Sequence, residues 1–432
     1  MKQSMTTLRA LLRQNHNYRY TWMAQVVSEI GDYFNNIAVF ALVMEKSGSG
    51  LVVTGVMLAR AIPAVLAGPV AGVLLDRLDR KRIMIASDLV RALIALGFVL
   101  TIHQPRPWLL YLLSAGLMFA SPFFTAGRAA ILPTIATQDE LHSANSLTQT
   151  TQWATLTAGT LLAGYSAAWL GYHWAFVLNS LSFAFSAWAI WQISVPGGFR
   201  VKRAATAPAT RPWHEYRAGL VYMRGVPLMM GMAMISVGWS LGGGAAQILF
   251  ALFGEQVFHR GASGIGSLWG FAGIGLLIGG AIGHITGRSV SFAGYKRTVT
   301  LSYLLHGAAY MLFSQAESYA AALVFMMFSR VGMAVTSVLN NAQLLRHTPD
   351  QFRGRVFSTM ESIRWSVMIV SMSAAGIASQ YVGPRTIGLV AGAFGSLTAV
   401  VWAWMDWRGR LPEPSAPPGT RFPGAPNPVE TQ

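Results

Sequence analysis

Residues 109 to 127 and 226 to 252 carry no charged side chain, and much of this 432-residue chain repeats the pattern, apolar runs parted by short loops. These two exceed the ~18 apolar residues that mark a helix able to cross a bilayer. Charged residues make up 11% of the chain, where soluble domains hold roughly 25%. That is too little polar cover for a water-soluble surface, so the expected solvent for most of the chain is lipid.

Apolar runs and intervening loops define twelve spans, at 20–44, 51–75, 83–102, 108–133, 144–170, 173–194, 226–252, 264–287, 298–315, 319–345, 356–381 and 385–407. The net charge of +16 would suit nucleic acid if it were gathered on one soluble face. Instead the loops alternate between rich and poor. Rich loops hold Arg77, Arg80, Lys81 and Arg82, then Arg200, Lys202, Arg203, Arg211, Arg217 and Arg224, then Arg288, Lys296, Arg297, Arg346, Arg353 and Arg355. Lys2, Arg9, Arg13 and Arg19 precede the first span, and Arg408, Arg410 and Arg421 follow the last; the poor loops hold Lys46, Arg106, Arg260 and Arg385. This positive-inside bias predicts both termini in the cytoplasm, an even span count and no nucleic-acid partner. With no cysteine, disulfides are excluded. No short signal-peptide core with a cleavage site follows the basic start, so the first span is expected to act as an uncleaved insertion signal.

The chain is internally duplicated. SLTQTTQW (146–153) aligns without gaps to STMESIRW (358–365), and GPVAGVLLDR (68–77) to GGAIGHITGR (279–288), at the same separation to within one residue. Lys81 and Arg82 correspond to Lys296 and Arg297. The expected organisation is an all-α membrane protein of two six-helix bundles, 1–194 and 226–407, related by a pseudo-twofold axis. A basic linker at 195–225 would contain an interfacial helix carrying Trp213, Tyr216, Leu220 and Met223 on one face and His214, Arg217 and Arg224 elsewhere. A Pro- and Gly-rich tail, 408–432, is expected to be disordered. Duplicated halves of this kind point to a transporter with its site between them.

GVLLDRLDRKR, residues 72–82, combines a helix exit at Gly72, the anionic Asp76 and the cluster Arg77, Arg80, Lys81 and Arg82, which anchors a loop at anionic head groups. The segment resembles the signature of the major facilitator superfamily, Gly-x-x-x-Asp-Arg-x-Gly-Arg-Lys, with Asp79 in place of the second Gly. That departure is similar to the subgroup of enterobactin and macrolide exporters. GDYFNNIAVFAL (31–42), AILPTIATQDELHSANSL (130–147), RPWHEYRAGLVYMRGVPLMMG (211–231) and LRHTPDQFRGRVFS (345–358) extend the resemblance over the chain to its tail. It implies a bacterial inner-membrane efflux transporter, an antiporter of the major facilitator fold, with Asp76 as a gate element contacting the start of the eleventh span in the outward-open state. The alternative for this motif is a loop that only sets topology.

Ionisable residues within spans are costly, at least ~2.5 kcal/mol at the bilayer centre, and are functional candidates by default. Glu29 and Asp32 share a face of the first span with Gln25 and Asn36. Asp32 lies roughly 18 Å in from Tyr20, near the middle of a ~30 Å core, which makes it the expected proton-coupling carboxylate with Glu29 second. The alternative is a structural ion pair, for instance with Arg60. Asp88 with Arg91, and Glu361 with Arg364, stand three apart and are expected to be shallow structural pairs. Arg128 is expected to pair with Asp76 or with Asp139 and Glu140. The resemblance implies a cavity lined by the first, fourth, seventh and tenth spans, so its candidate residues are Gln25, Asn36, Arg60, Arg330, Ser337, Asn341, Ser240 and Gln247. Met333 and Ser236 belong to the same polar stripes, and Trp239, Met326 and Phe123 are candidates for apolar contact or for packing.

Gly266, Gly270, Gly275, Gly279, Gly283 and Gly287 step along the eighth span at spacings that permit close helix crossing. No metal-ligand spacing, nucleophile elbow or phosphate loop is present. The expectation is a monomeric, cofactor-free and metal-free protein that is not an enzyme. It would exchange protons for a small amphipathic compound such as a drug or siderophore by alternating access. An importer or lipid transporter of the same fold, or a non-transporting assembly or sensor protein, remains the alternative.

Overall fold

A computed structural model describes residues 11–104, 107–196, 198–199 and 212–414. The tail from 415, the linker positions 200–211 and the basic residues Lys2, Arg9, Arg106 and Arg421 lie outside them, as do the side chains of Trp213, His214 and Asp139. Among the described residues every regular element is a helix. The six of the first half are α1 (His16–Ser47), α2 (Gly50–Arg77), α3 (Arg80–Gly97), α4 (Trp108–Ile135), α5 (Gln138–Leu170) and α6 (Tyr172–Trp191). A short α7 (Pro212–Arg224) leads into α8 (Pro227–Leu252), α9 (Gly261–Gly287), α10 (Phe292–Gln315), α11 (Tyr319–His347), α12 (Asp350–Ala378) and α13 (Pro384–Trp407).

By length and composition nine of the described helices are apolar enough to cross a membrane. α5, α10 and α12 are equally long but carry polar side chains. Lipid cannot satisfy those groups, and the bundle interior receives several of them: His306 of α10, for example, meets Ser329 Oγ of α11 at 2.8 Å. Outward faces are greasy, with Leu66, Leu93, Leu162, Leu301 and Val370 exposed. Trp188, Trp191, Trp404 and Trp407 are exposed at one end of the bundle, and Trp108, Trp169, Trp174 and Tyr381 at the other, the two aromatic belts of a membrane protein. The first end also carries the Arg77–Arg82 loop and is called the basic end below.

Several helices begin before the apolar runs do: α5 six residues, α10 six and α12 six ahead of the expected starts. For α5 and α10 the cause is polar capping; α12 starts after Pro349 without a side-chain cap. Thr137 and Glu140 form a reciprocal capping box on α5, and Ser291 accepts from Gly294 N at 3.1 Å on α10. Such caps satisfy the free N–H groups of the first turn. Gly48 ends α1 in the left-handed region, φ 58°, where a side chain would be strained. α2 runs on past Gly72 to Arg77, so Gly72 is not the expected helix exit. Asp79, the residue that departs from the family pattern, caps α3 by accepting from Arg82 N at 3.0 Å.

The duplicated lysines do equivalent work. Lys81 at the start of α3 donates to Trp191 O and Ile193 O at 2.7 Å, closing the end of α6. Lys296 at the start of α10 donates to Leu411 O at 3.3 Å and pairs with Asp406 at 2.5 Å, closing the end of α13. α7 packs on α12, with Tyr222 stacked on Phe352 at 4.6 Å.

Two features join the halves. α9 lies against α5 through glycines: a Cβ on Gly266 would stand 2.5 Å from Thr160 O and 2.6 Å from Gly164 Cα. Its other face meets α11, where a Cβ on Gly275 or Gly279 would collide with Met327 O or Val331 O. The second feature is the apolar core. One cluster unites α1, α8, α9, α11 and α12 away from the basic end, whereas at the basic end the core divides into one cluster around Leu11, Tyr18 and Phe199 and another around Met223, Tyr295 and Leu411. Gln256 Nε2 donates to Gly48 O across the undivided end at 2.6 Å. At the basic end a Cβ on Gly72 or Gly354 would meet nothing within 4 Å.

Gly266→Val should lower the thermal unfolding midpoint in detergent, because overpacking against backbone costs about 1–3 kcal/mol. Gly72→Ala should leave it unchanged or slightly higher. Equal midpoints for the two variants would refute the close-crossing role of Gly266.

Candidate functional site

A cavity of about 600 Å³ lies between the halves, lined mainly by Ile37, Phe40, Met57, Met118, Leu156, Trp269, Trp365, Met368 and Met372. Its polar lining is Tyr33, Asn36, Arg60, Thr160 and Gln247. α1, α2, α5 and α12 supply most of the wall, with one residue each from α4, α8 and α9 and none from α11, so of the four spans expected the tenth is missing and the second, fifth, eighth and eleventh take part. Asn36 is on it because Asp32 and Asn36 share one face of α1. Arg60 is buried and donates to Asn35 Oδ1 at 3.3 Å.

Behind Asn36 the first half holds a network of charge. Arg91 of α3, 2% exposed, is bonded to Asp88 and lies 4.0 Å from Asp32 Oδ2. Its guanidinium also stands over Phe124 at 4.8 Å and Phe183 at 4.3 Å, so one side chain ties α1, α3, α4 and α6. The Asp88–Arg91 pair is therefore deep rather than shallow, and Asp32 meets Arg91, not Arg60, within ion-pair distance. Glu29 accepts from Thr155 Oγ1 at 2.6 Å and Gln25 Nε2 at 2.8 Å, and lies 3.7 Å from Arg128. Arg128 is thus turned into the bundle toward Glu29 instead of toward the acidic loop. The two carboxylates of α1 differ: Glu29 is surrounded by donors, whereas Asp32 Oδ1 is buried with none.

A second chamber of about 580 Å³ sits toward the basic end, with Ser236, Trp239, Met333, Ser337, Asn341, Glu361 and Arg364 on its wall together with Gln149 and Gln152 of α5. Glu361 is bonded to Arg364 and accepts from Trp365 Nε1 at 2.8 Å. Of the eight cavity candidates, Asn36, Arg60 and Gln247 line the central cavity, and Ser337 and Asn341 line this chamber. Gln25 is held under Glu29, bonded also to Thr148 O at 3.2 Å. Ser240 is fully buried, and Arg330 is buried over the rings of Phe250 and Tyr310; both lie off the two walls. Met326 and Phe123 are also off them, while Trp239 is on the chamber.

In the loop motif, Arg80 donates to Ala130 O at 2.7 Å and braces α4. Asp76 and Arg77 are exposed; among the described residues Asp76 makes no hydrogen bond or ion pair, including with the start of α12. Tyr33, Met57, Trp269, Thr155 and Trp365 are cavity or network residues absent from the sequence reading. Of these Trp365 had a signal, since it ends the duplicated segment. The described residues hold no group of three His, Asp or Glu able to bind a metal.

Arg91→Met strands Asp88 and Asp32 and should destabilise the protein by about 3 kcal/mol, read as a lowered unfolding midpoint. Adding Asp88→Asn should restore part of the loss; no recovery would show that the network does not hold the bundle.

The sequence pattern of the Major Facilitator Superfamily matches residues 21–372. The uncharacterised MFS-type transporter YfiS of Bacillus subtilis (strain 168) is 27% identical over 384 residues, 85% of this chain and 88% of that protein. Macrolide efflux protein A of Streptococcus pyogenes is 33% identical over 135 residues, 30% of this chain and 33% of its own. The enterobactin exporter EntS of Shigella boydii serotype 4 (strain Sb227) is 25% identical over 385 residues, 87% of each chain. The crystal structure of a bacterial homologue of the iron transporter ferroportin, in its inward-facing state, superposes with a TM-score of 0.66 at 16% identity, covering 91% of this chain and 99% of that one. With a bundle of long apolar helices enclosing a cavity between duplicated halves, and with efflux proteins among its relatives, this chain belongs to the Major Facilitator Superfamily and is one of its multi-pass membrane transporters.

Proposed function

We propose that the chain exports a small amphipathic molecule from the cytoplasm in exchange for protons, by alternating access of the units 1–194 and 226–407. The basic end faces the cytoplasm, as the positive-inside bias requires, so both termini lie there. The divided core at that end and the undivided core at the other then describe an inward-facing state. Export is the direction suggested by the relatives named as efflux protein and exporter.

The observation that carries the coupling is the asymmetry between Glu29 and Asp32. Neutralising Glu29 would weaken three charge-assisted contacts, from Thr155, Gln25 and Arg128. Neutralising Asp32 gives up only a 4.0 Å contact with Arg91, and Arg91 keeps Asp88 as its partner. Asp32 is the carboxylate free to gain and lose a proton while the bundle stays assembled. It is partly exposed, with 24% of its side chain accessible, one helical turn from Asn36 on the cavity wall. Proton uptake there changes the charge beside the cavity, and with it the relative stability of the two orientations. Gly72, Asp76, Arg77, Arg80 and Lys81 form the gate segment, with Asp76 unpaired in this orientation and ready to meet the start of α12 in the other.

In proteoliposomes, Asp32→Asn should abolish substrate-driven proton movement while expression and thermal stability stay near wild type; undiminished coupling would remove Asp32 from the mechanism. Glu29→Gln should instead lower stability. Asp76→Ala should slow turnover without weakening substrate binding, and an unaltered rate would end the gate assignment.

A further inference from the structure

The chamber near the basic end differs chemically from the central cavity. Its volume, about 580 Å³, falls in the usual range for small-molecule sites, ~300–1,000 Å³. Where the central cavity is walled by Met, Phe and Trp, the chamber presents amides and hydroxyls, among them Gln149, Gln152, Thr336, Ser337 and Asn341. The duplication explains how they meet: Gln149 and Gln152 occupy the positions in α5 that Glu361 and Arg364 occupy in α12, and all four line the same space from opposite halves.

Charge on this wall cancels locally. Glu361 and Arg364 are bonded to one another, and every other polar group named is neutral and both donates and accepts. An ionic ligand group would find no unmatched countercharge here. Two polar atoms of the wall are unpartnered: Thr336 Oγ1, on a residue 1% exposed, and Trp239 Nε1. Buried polar atoms are nearly always hydrogen-bonded, and a group able to donate to one and accept from the other would satisfy both.

The chamber adjoins the central cavity. Arg364 lies 5.8 Å from the ring centre of Trp239 and 5.3 Å from that of Trp365. Trp239 and Arg364 face the chamber, and Trp365 faces the cavity. On α5, Gln152 belongs to the chamber and Leu156, one turn on, to the cavity.

We infer that the chamber is a second ligand subsite, which takes the uncharged, multiply hydrogen-bonding head group of an amphiphile, a sugar or comparable polyol, while the apolar body of the same molecule occupies the central cavity. This deepens the transport reading and rests on it, but binding can be measured with no gradient and no movement. The test uses purified full-length protein in nanodiscs and three submicellar probes of one chain length, octyl glucoside, octyl sulfate and octyltrimethylammonium, followed by tryptophan fluorescence. Octyl glucoside should bind at least about tenfold more tightly than either ionic probe, and Thr336→Val with Asn341→Leu should raise its Kd about tenfold while leaving the ionic probes unchanged. That unchanged binding reports an intact fold, and the milder Ser337→Ala should act in the same direction. Met372→Ala, in the central cavity, should weaken all three probes alike. Equal binding of the three head groups, tighter binding of an ionic one, or a chamber variant that shifts all three equally would overturn the assignment. Selective binding of octyl glucoside that is never transported under a pH gradient would instead sink the export reading and leave the subsite standing.

Discussion

Arg91 is the point on which the first half of this protein turns. A guanidinium in the middle of a bilayer has no water to solvate it, and removing one partner of a buried pair costs several kcal/mol. Arg91 is accommodated because α3 supplies Asp88, α1 supplies Asp32, and α4 and α6 close over its faces with Phe124 and Phe183. Four helices therefore have to meet at one place with one rotation about their axes. Asp32, shared between this knot and the cavity side of α1, inherits both a fixed position and an incomplete set of partners.

The second half holds its buried charge by different means. Its single deeply buried guanidinium among the described residues, Arg330, rests on the aromatic faces of Phe250 and Tyr310, and several of its helices approach closely through glycine. α9 has backbone contact on two sides, with α5 across the interface and with α11 inside its own half. Close contact of this kind adds dispersion and excludes lipid without introducing any polar group that hydrocarbon would penalise. The buried charge knot belongs to the first half, whereas close glycine crossings occur in both, at Gly31 and Gly127 in the first and at Gly275 and Gly279 in the second.

The division of the core at one end suits a rocking motion. In the proposed alternating access the undivided apolar core away from the basic end would be the closed side, held in addition by the Gln256 to Gly48 bond. The clusters at the basic end are complete within each half, so separating the halves there exposes no broken core. Such a switch would need the first set of contacts to part and a comparable set to form at the other end, while the contacts of Lys81 and Lys296 lie wholly within each half.

Much of this architecture was legible in the sequence. Charge-free runs, alternating basic loops and two gapless internal matches determined the membrane class, the duplicated halves and the role of Lys81 and Lys296 as counterparts, because lipid punishes exposed polarity in a way that leaves a one-dimensional record. The pairing of Asp88 with Arg91 was legible too, since they lie three residues apart in one span. Only the tertiary structure decided which charges meet across spans: Arg128 turns to Glu29, Arg91 reaches Asp32, and Gln149 and Gln152 face Glu361 and Arg364. It also decided that Ser240, Gln25 and Arg330 stand off the cavity walls while Trp269 and Trp365 stand on them. Helix rotation and crossing angle set such meetings, and these are fixed by the packing of many side chains at once, so no local stretch of sequence carries them.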